Sequence, residues 1–178
     1  METLTEKLYK ESIPSLKEKF SYKNDMALPR ITSVCLNVGI KVADSDNKFL
    51  TYLATQLSNI SGQKAVITKS RKAISTFKLR ENMAIGARVT LRGKKMYQFL
   101  DRLTNIALPR VRDFRGLSPK GFNQSNHYSF GIKDHSIFIE VDLDNIPKTF
   151  GMNITVASTA KTKEEALFLL KKLNFPIK

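Results

Sequence analysis

One cysteine, Cys35, is all that this chain of 178 residues contains, so no disulfide can form within it and a reducing compartment is expected. Histidine is nearly as scarce. His127 and His135 lie far from Cys35 in sequence and offer no spacing that closes a zinc site, so no metal and no cofactor are expected. Glycine and proline number only eight and six, and no tract is low in complexity, which excludes long disordered stretches. No period of about twenty to fifty residues repeats, which excludes a solenoid. The first twenty residues mix Glu and Lys with Leu and hold no uninterrupted apolar run, so neither a secretory signal nor a membrane span is expected. Acidic residues are few: sixteen Asp and Glu face thirty Lys and Arg, for a net charge of +14.

That charge is concentrated. Between Lys64 and Gly116 lie fourteen Lys and Arg, opposed only by Glu81, Asp101 and Asp113, so this stretch alone carries +11. A field of that density recruits polyanions, and nucleic-acid phosphate is the commonest such partner. In Arg88-Val89-Thr90-Leu91-Arg92 the cations alternate with apolar or β-branched residues, which is a strand pattern and not the polar face of a membrane-surface helix.

The length suits a single domain spanning residues 1–178. Leu4, Leu8, Tyr9, Leu16 and Phe20 suggest an N-terminal helical stripe, kinked or restarted at Pro14. Period two over residues 31–38 predicts a strand with Val34, Leu36 and Val38 on one face and Ser33, Cys35 and Asn37 on the other. Asp44 or Ser45 would cap a helix carrying Phe49, Leu53, Leu57 and Ile60, ended by Gly62 in a left-handed conformation. Strands are expected at residues 65–69 and 85–92, the latter turning Arg88, Thr90 and Arg92 outward. Gly93 then opens a helix with Met96, Leu100, Leu103 and Ala107 on one stripe, stopped by Pro109 and followed by the basic knot Arg110-Val111-Arg112-Asp113-Phe114-Arg115-Gly116. Short strands are read at 128–132, 137–141 and 154–158. A last helix has Thr162 and Glu165 as its capping box and Asn174 at its end. The order implies an α+β fold: a mostly antiparallel sheet with helices packed on one face, the other face left free for RNA. A basic loop over residues 70–84 interleaves Arg71, Lys72, Lys78 and Arg80 with Ile74, Phe77 and Leu79, a composition suited to binding.

Enzymatic signatures are weak. No glycine pair has the spacing of a phosphate loop. Glu140, Asp142 and Asp144 would share one face of a strand, as a magnesium-dependent RNA nuclease needs, yet no catalytic companion completes them, and a solvated or protein-paired acidic edge is the stronger reading. No aromatic pair of the RRM type marks the strands, so recognition should rest on hydrogen bonds, shape and charge. A free-standing RNA chaperone is the alternative among binding proteins.

Five runs stand out together: Ser61-Gly62-Gln63-Lys64, Phe77-Lys78-Leu79-Arg80-Glu81, the stretch from Ile85 to Gly93, Met96-Tyr97-Gln98-Phe99-Leu100-Asp101-Arg102-Leu103, and Leu108-Pro109-Arg110-Val111-Arg112-Asp113-Phe114-Arg115-Gly116-Leu117. They resemble the bacterial type of the large-subunit ribosomal protein L-five family. Asn37, Gly151-Met152 and Thr159-Ala160-Lys161-Thr162 extend the likeness over nearly the whole chain. The resemblance implies a structural, non-catalytic role in the cytoplasm, or in an organelle, as part of the large ribosomal subunit and its rRNA. It implies that Asn37, Gln63 and Thr90, with Lys64, Thr68 and Arg92 as neighbours, contact 5S ribosomal RNA in the central protuberance. It further implies that Arg71, Lys72, Ile74, Phe77, Lys78 and Arg80 reach peptidyl-site tRNA. The opposite tip, with Glu140, Asp142 and Asp144, would meet small-subunit protein S-thirteen in an intersubunit bridge. The sequence departs from the family at Lys41, Thr76, Asn82 and Ala84, where Gly, Gly, Gly and Pro are usual. It departs again in Asn123-Gln124-Ser125-Asn126-His127, and at Ile139 and Phe150, where Pro and Arg are common.

Overall fold

The computed structural model describes residues 3–40, 47–142 and 147–178, so Lys41 and the expected caps Asp44 and Ser45 lie outside the described residues. The main elements are α1 (Leu4–Phe20), β1 (Ile31–Gly39), α2 (Asn47–Ser61), β2 (Val66–Lys69), β3 (Ala84–Leu91), α3 (Gly93–Arg102), β4 (Tyr128–Ile132), β5 (Met152–Ser158) and α4 (Lys163–Lys172). The strands form one mostly antiparallel sheet in the order β2-β3-β1-β5-β4, with helices on one face, which is the α+β architecture the pattern implies. Contacts cluster into two compact units. One comprises Met1–Val34, Arg92–Phe130 and Thr155–Lys178, the other Cys35–Leu91 and Gly131–Ile154.

In the first unit α1 packs against α3 and α4. Its buried line is Thr5, Ser12 and Leu16, while Leu4 is 49% exposed, so the apolar stripe read from sequence is rotated. The reason is a polar dock. The Asp101 carboxylate near the end of α3 accepts from the N–H of Leu4 (3.0 Å), the N–H of Thr5 (2.7 Å) and the Thr5 hydroxyl, satisfying donors that every helix start leaves orphaned. Pro14 sits inside one continuous helix without restarting it. The α3 stripe is as expected: Met96, Leu100, Leu103 and Ala107 are all buried, carried past Arg102 by a π turn (Leu103–Ala107) and a 3₁₀ turn (Leu108–Arg110). The capping box of α4 is formed in both directions between Thr162 and Glu165, and Asn174 takes a φ of 59° after the helix.

In the second unit α2 lies across β3 and β2. Leu50, Leu53, Leu57 and Ile60 meet the inward residues Ala87, Val89 and Leu91 of β3 in a core shared with Leu36 and Val38, all of them buried. Gly62 ends α2 at φ 65°, the left-handed geometry that favours glycine. The strand expected at residues 137–141 is absent. His135–Ile137 forms a 3₁₀ turn instead, continued by Phe138 N–H to His135 O (3.2 Å) and Val141 N–H to Phe138 O (3.3 Å). Burial explains the change: Ile137, Phe138 and Val141 are buried while Ile139 is 64% exposed, a turn-like spacing in a segment whose apolar run mimicked a strand.

His135 is fully buried at the start of that turn. Its ring stacks on Phe150 at 3.8 Å and meets Tyr52 edge-on at 6.5 Å. The Phe150 N–H donates to its Nδ1 (3.3 Å), which requires a lone pair there, and its buried Nε2 has no partner among the described residues. Burial pushes the imidazole below its ordinary value of 6.5, with Asp134, 3.7 Å away, pulling the other way. Phe150 thus supplies an apolar lid over the imidazole.

Two outcomes are expected. Asp101→Ala should cost about 2 kcal/mol of stability in denaturant unfolding, because several helix-start donors lose their acceptor at once, and Asp101→Asn should recover part of the loss. For His135, the folded protein binds its proton less readily than the unfolded chain. Stability is therefore full above about pH 6.5 and falls as pH drops toward the folded value, by up to about 1.4 kcal/mol per pH unit. The pH dependence of unfolding should be shallower in His135→Phe over that window, and identical slopes would show that His135 contributes nothing to it.

Candidate nucleic-acid interface

The face of the second unit turned away from α2 is built by strand alternation. With Leu36 and Val38 inward, β1 presents Cys35 and Asn37, and with Ala87 and Val89 inward, β3 presents Arg88 and Thr90. The antiparallel register sets Val66 opposite Arg88 and Thr68 opposite Gly86, so both β2 residues join that face. Val66, 68% exposed, is an apolar member that polarity-led reading overlooks. Its signal is the register.

Gln63 is held from two sides. Its side-chain amide donates to the Thr90 carbonyl (3.3 Å), while the Ser61 hydroxyl donates to the Gln63 carbonyl (2.9 Å) and accepts from the Gln63 N–H (3.2 Å). Ser58 fixes the following turn by accepting from the Ala65 N–H (2.9 Å). Ser58 escaped the sequence reading, where it looks like an ordinary polar residue of a helix end, and Ser61 entered it only as part of a longer run. Lys64, beside Gln63, is exposed. Asn37 is exposed and makes no side-chain hydrogen bond among the described residues, and the same holds for the hydroxyls of Thr68 and Thr90. The Arg88 Nε donates to the Cys35 sulfur (3.1 Å), which lays the guanidinium along the face.

Gly86 permits this surface. A Cβ there would stand 2.1 Å from the Val38 carbonyl oxygen, a contact no side chain tolerates, and next to it the Ile40 N–H donates to Ile85 O (3.0 Å). Arg92 is exposed at the start of α3 and belongs to the first unit, so the structure groups Asn37, Gln63, Lys64, Thr68, Arg88 and Thr90 without it.

Between β2 and β3 the chain forms a small hairpin instead of the loop without regular pattern that the sequence suggests. Ile74 and Leu79 exchange both backbone hydrogen bonds (3.0 Å each), Ser70 N–H donates to Met83 O (2.8 Å), and Asn82 N–H donates to Ser70 O (3.0 Å). Ser75–Phe77 makes a 3₁₀ turn closed by Lys78 at φ 53°. Asn82 takes φ 62°, a conformation Asn accepts better than most residues. Arg71, Lys72, Lys78 and Arg80 are exposed, and so are Ile74 (42%) and Phe77 (64%).

Among the described residues, the acidic side chains of this segment do not share a strand face. Without a strand at residues 137–141, Glu140 and Asp142 lose the shared face that metal chemistry would need, and Asp144 lies outside the described residues. Among the described residues no three His, Cys, Asp or Glu side chains group as a metal site would require. No helix among them is long and apolar enough to cross a membrane.

The family profile described as Ribosomal protein L5 matches residues 24–80, and the profile for the C-terminus of the same ribosomal family matches residues 84–177. Large ribosomal subunit protein uL5 of Desulfotalea psychrophila (strain LSv54 / DSM 12343) is 50% identical over 178 residues, covering 100% of this chain and 99% of its own length.

Proposed function

Because the chain belongs to the ribosomal protein L5 family, and so to the structural constituents of the large ribosomal subunit, we propose that the polar face of its second unit binds 5S ribosomal RNA. One observation carries this reading: Asn37 and the Thr90 hydroxyl stand with unused hydrogen-bonding groups beside a Gln63 whose backbone and side chain are both held. Such groups supply direction, while Lys64, Arg88 and, next along the chain, Arg92 supply attraction to phosphate. Thr68 completes the polar row, and Val66 offers an apolar contact between them. RNA bound there places the chain in the central protuberance, on cytoplasmic ribosomes.

The hairpin between β2 and β3 has a separate task in this proposal. Phe77 and Ile74 are too exposed to serve the core, and four cations surround them, a combination that suits packing on the sugar-phosphate surface of peptidyl-site tRNA. Glu140 and Asp142, at the other end of the second unit's sequence, would meet a basic protein such as S-thirteen across the subunit boundary. The family is not an enzyme family, and the proposed role involves no catalysis.

Replacing Asn37 or Thr90 by Ala should weaken binding of 5S rRNA by about 1 to 3 kcal/mol and leave the salt dependence unchanged, since no cation is lost. Filter binding against 5S rRNA and an unrelated structured RNA checks it, and equal losses on both would defeat the assignment. Phe77→Ala should retain 5S binding while ribosomes carrying it hold peptidyl-site tRNA roughly tenfold less well, the loss of one stacking contact. Impaired 5S binding in that variant would contradict the division of labour.

A further inference from the structure

The basic knot after α3 takes no part in the sheet face, and its construction marks it as a binding element in its own right. Its entry is anchored by Leu103, Ala107 and Leu108, all buried, and by the 3₁₀ turn at Leu108–Arg110. Its exit is locked by Leu117, which pairs in parallel with Ile177: the Leu117 N–H donates to Pro176 O (2.8 Å) and the Lys178 N–H to Leu117 O (3.1 Å). Between these clamps Asp113 and Gly116 adopt φ values of 55° and 94°. At Gly116 a Cβ would come within 3.1 Å of both the Pro176 carbonyl oxygen and the Lys178 side chain, so the chain passes as close as glycine allows.

The side chains sort themselves along this short loop. Val111 and Phe114 are half-buried, while Arg110, Arg112 and Arg115 are exposed. Neither Arg112 nor Arg115 forms an ion pair among the described residues, although Asp113 lies between them in sequence. A loop pinned at both ends, with apolar residues holding it down and guanidinium forks turned to solvent, loses little freedom when it engages an anion.

We propose that residues 110–116 form a second RNA-binding surface, carried by the first unit, which grips phosphates of duplex RNA through Arg112 and Arg115. The proposal rests on the ribosomal reading for its choice of polyanion, since rRNA phosphate is the densest negative charge around a large-subunit constituent. It shares no residue with the 5S-binding face. That face adds directional hydrogen bonds to its cations, whereas this loop offers charge and fork geometry alone, which hold a backbone without reading its sequence.

The test uses the full chain, a short random-sequence RNA duplex and 5S rRNA, each titrated over a range of salt. In the Arg112→Gln, Arg115→Gln double variant the log–log salt slope on the random duplex should flatten by about 2. Affinity at about 0.1 M salt should fall roughly 10- to 100-fold. The preference for 5S rRNA over the duplex should rise. Arg112→Lys, Arg115→Lys should keep the slope. Lys171→Gln, Lys172→Gln, which removes two exposed charges from α4 of the same unit, should leave duplex binding nearly unaltered. An unchanged slope in the Arg→Gln variant, as it would be were the loop reserved for an acidic protein, overturns the proposal. So does an equal loss in the Lys→Gln variant, which would make net charge the cause. Failure of the 5S reading shows differently: wild-type chain would then bind 5S rRNA and the duplex alike, with the loop's contribution to the slope still measurable.

Discussion

One-sided burial of the sheet is the constraint on which the rest depends. Leu36, Val38, Ala87, Val89 and Leu91 must all face the same way to meet Leu50, Leu53, Leu57 and Ile60 of α2. Because side chains alternate on a strand, that requirement dictates the opposite face residue by residue. Cys35, Asn37, Arg88 and Thr90 have no other place to go. A register slip of one residue would bury Arg88 and Asn37 together, each without compensation, so the apolar core and the polar surface enforce one another. Gly86 tightens the same constraint, for it lets the Val38 carbonyl lie where any side chain would exclude it.

Legibility in the sequence followed from how local each cause is. The strand faces of β1 and β3, the stripes of α2 and α3, the left-handed Gly62 and the Thr162–Glu165 box are fixed by neighbours a few residues away, and pattern reading recovers them. The rotation of α1 has a distant cause, the carboxylate of Asp101 nearly a hundred residues on, which favours burial of Thr5 over Leu4. No hydropathy period can register that. The segment at 137–141 failed for the opposite reason: its local signal was strong, with apolar residues crowded together, but a turn begun at His135 buries Ile137, Phe138 and Val141 better than a strand would.

For the candidate site, residue type was legible and arrangement was not. Charge density pointed to the stretch after Lys64 and polarity to Asn37 and Thr90, yet the hold on Gln63 by Ser61 and the Thr90 carbonyl depends on α2 ending beside β3. Charge also overstated the unity of the basic region. Fourteen cations between Lys64 and Gly116 read as one field, whereas the fold divides them: Lys64, Arg71 and Arg88 go to one unit, Arg92, Arg112 and Arg115 to the other.

In the proposed role, the hairpin between β2 and β3 keeps its binding capacity at little cost to stability. An exposed Phe77 and Ile74 would ordinarily invite collapse onto the core or association with another chain. Here Ile74 is tied by its backbone to Leu79, Ser70 to Met83 and Asn82, and the left-handed residues Lys78 and Asn82 shape the bends. The backbone is thus satisfied internally, which leaves the side chains uncommitted. Arg71, Lys72, Lys78 and Arg80 then keep the apolar tip in solution through mutual repulsion between chains, and the same charges become favourable when a polyanion arrives. On the proposed reading, repulsion between free chains and attraction to RNA are in this way two consequences of one placement of charge around Phe77.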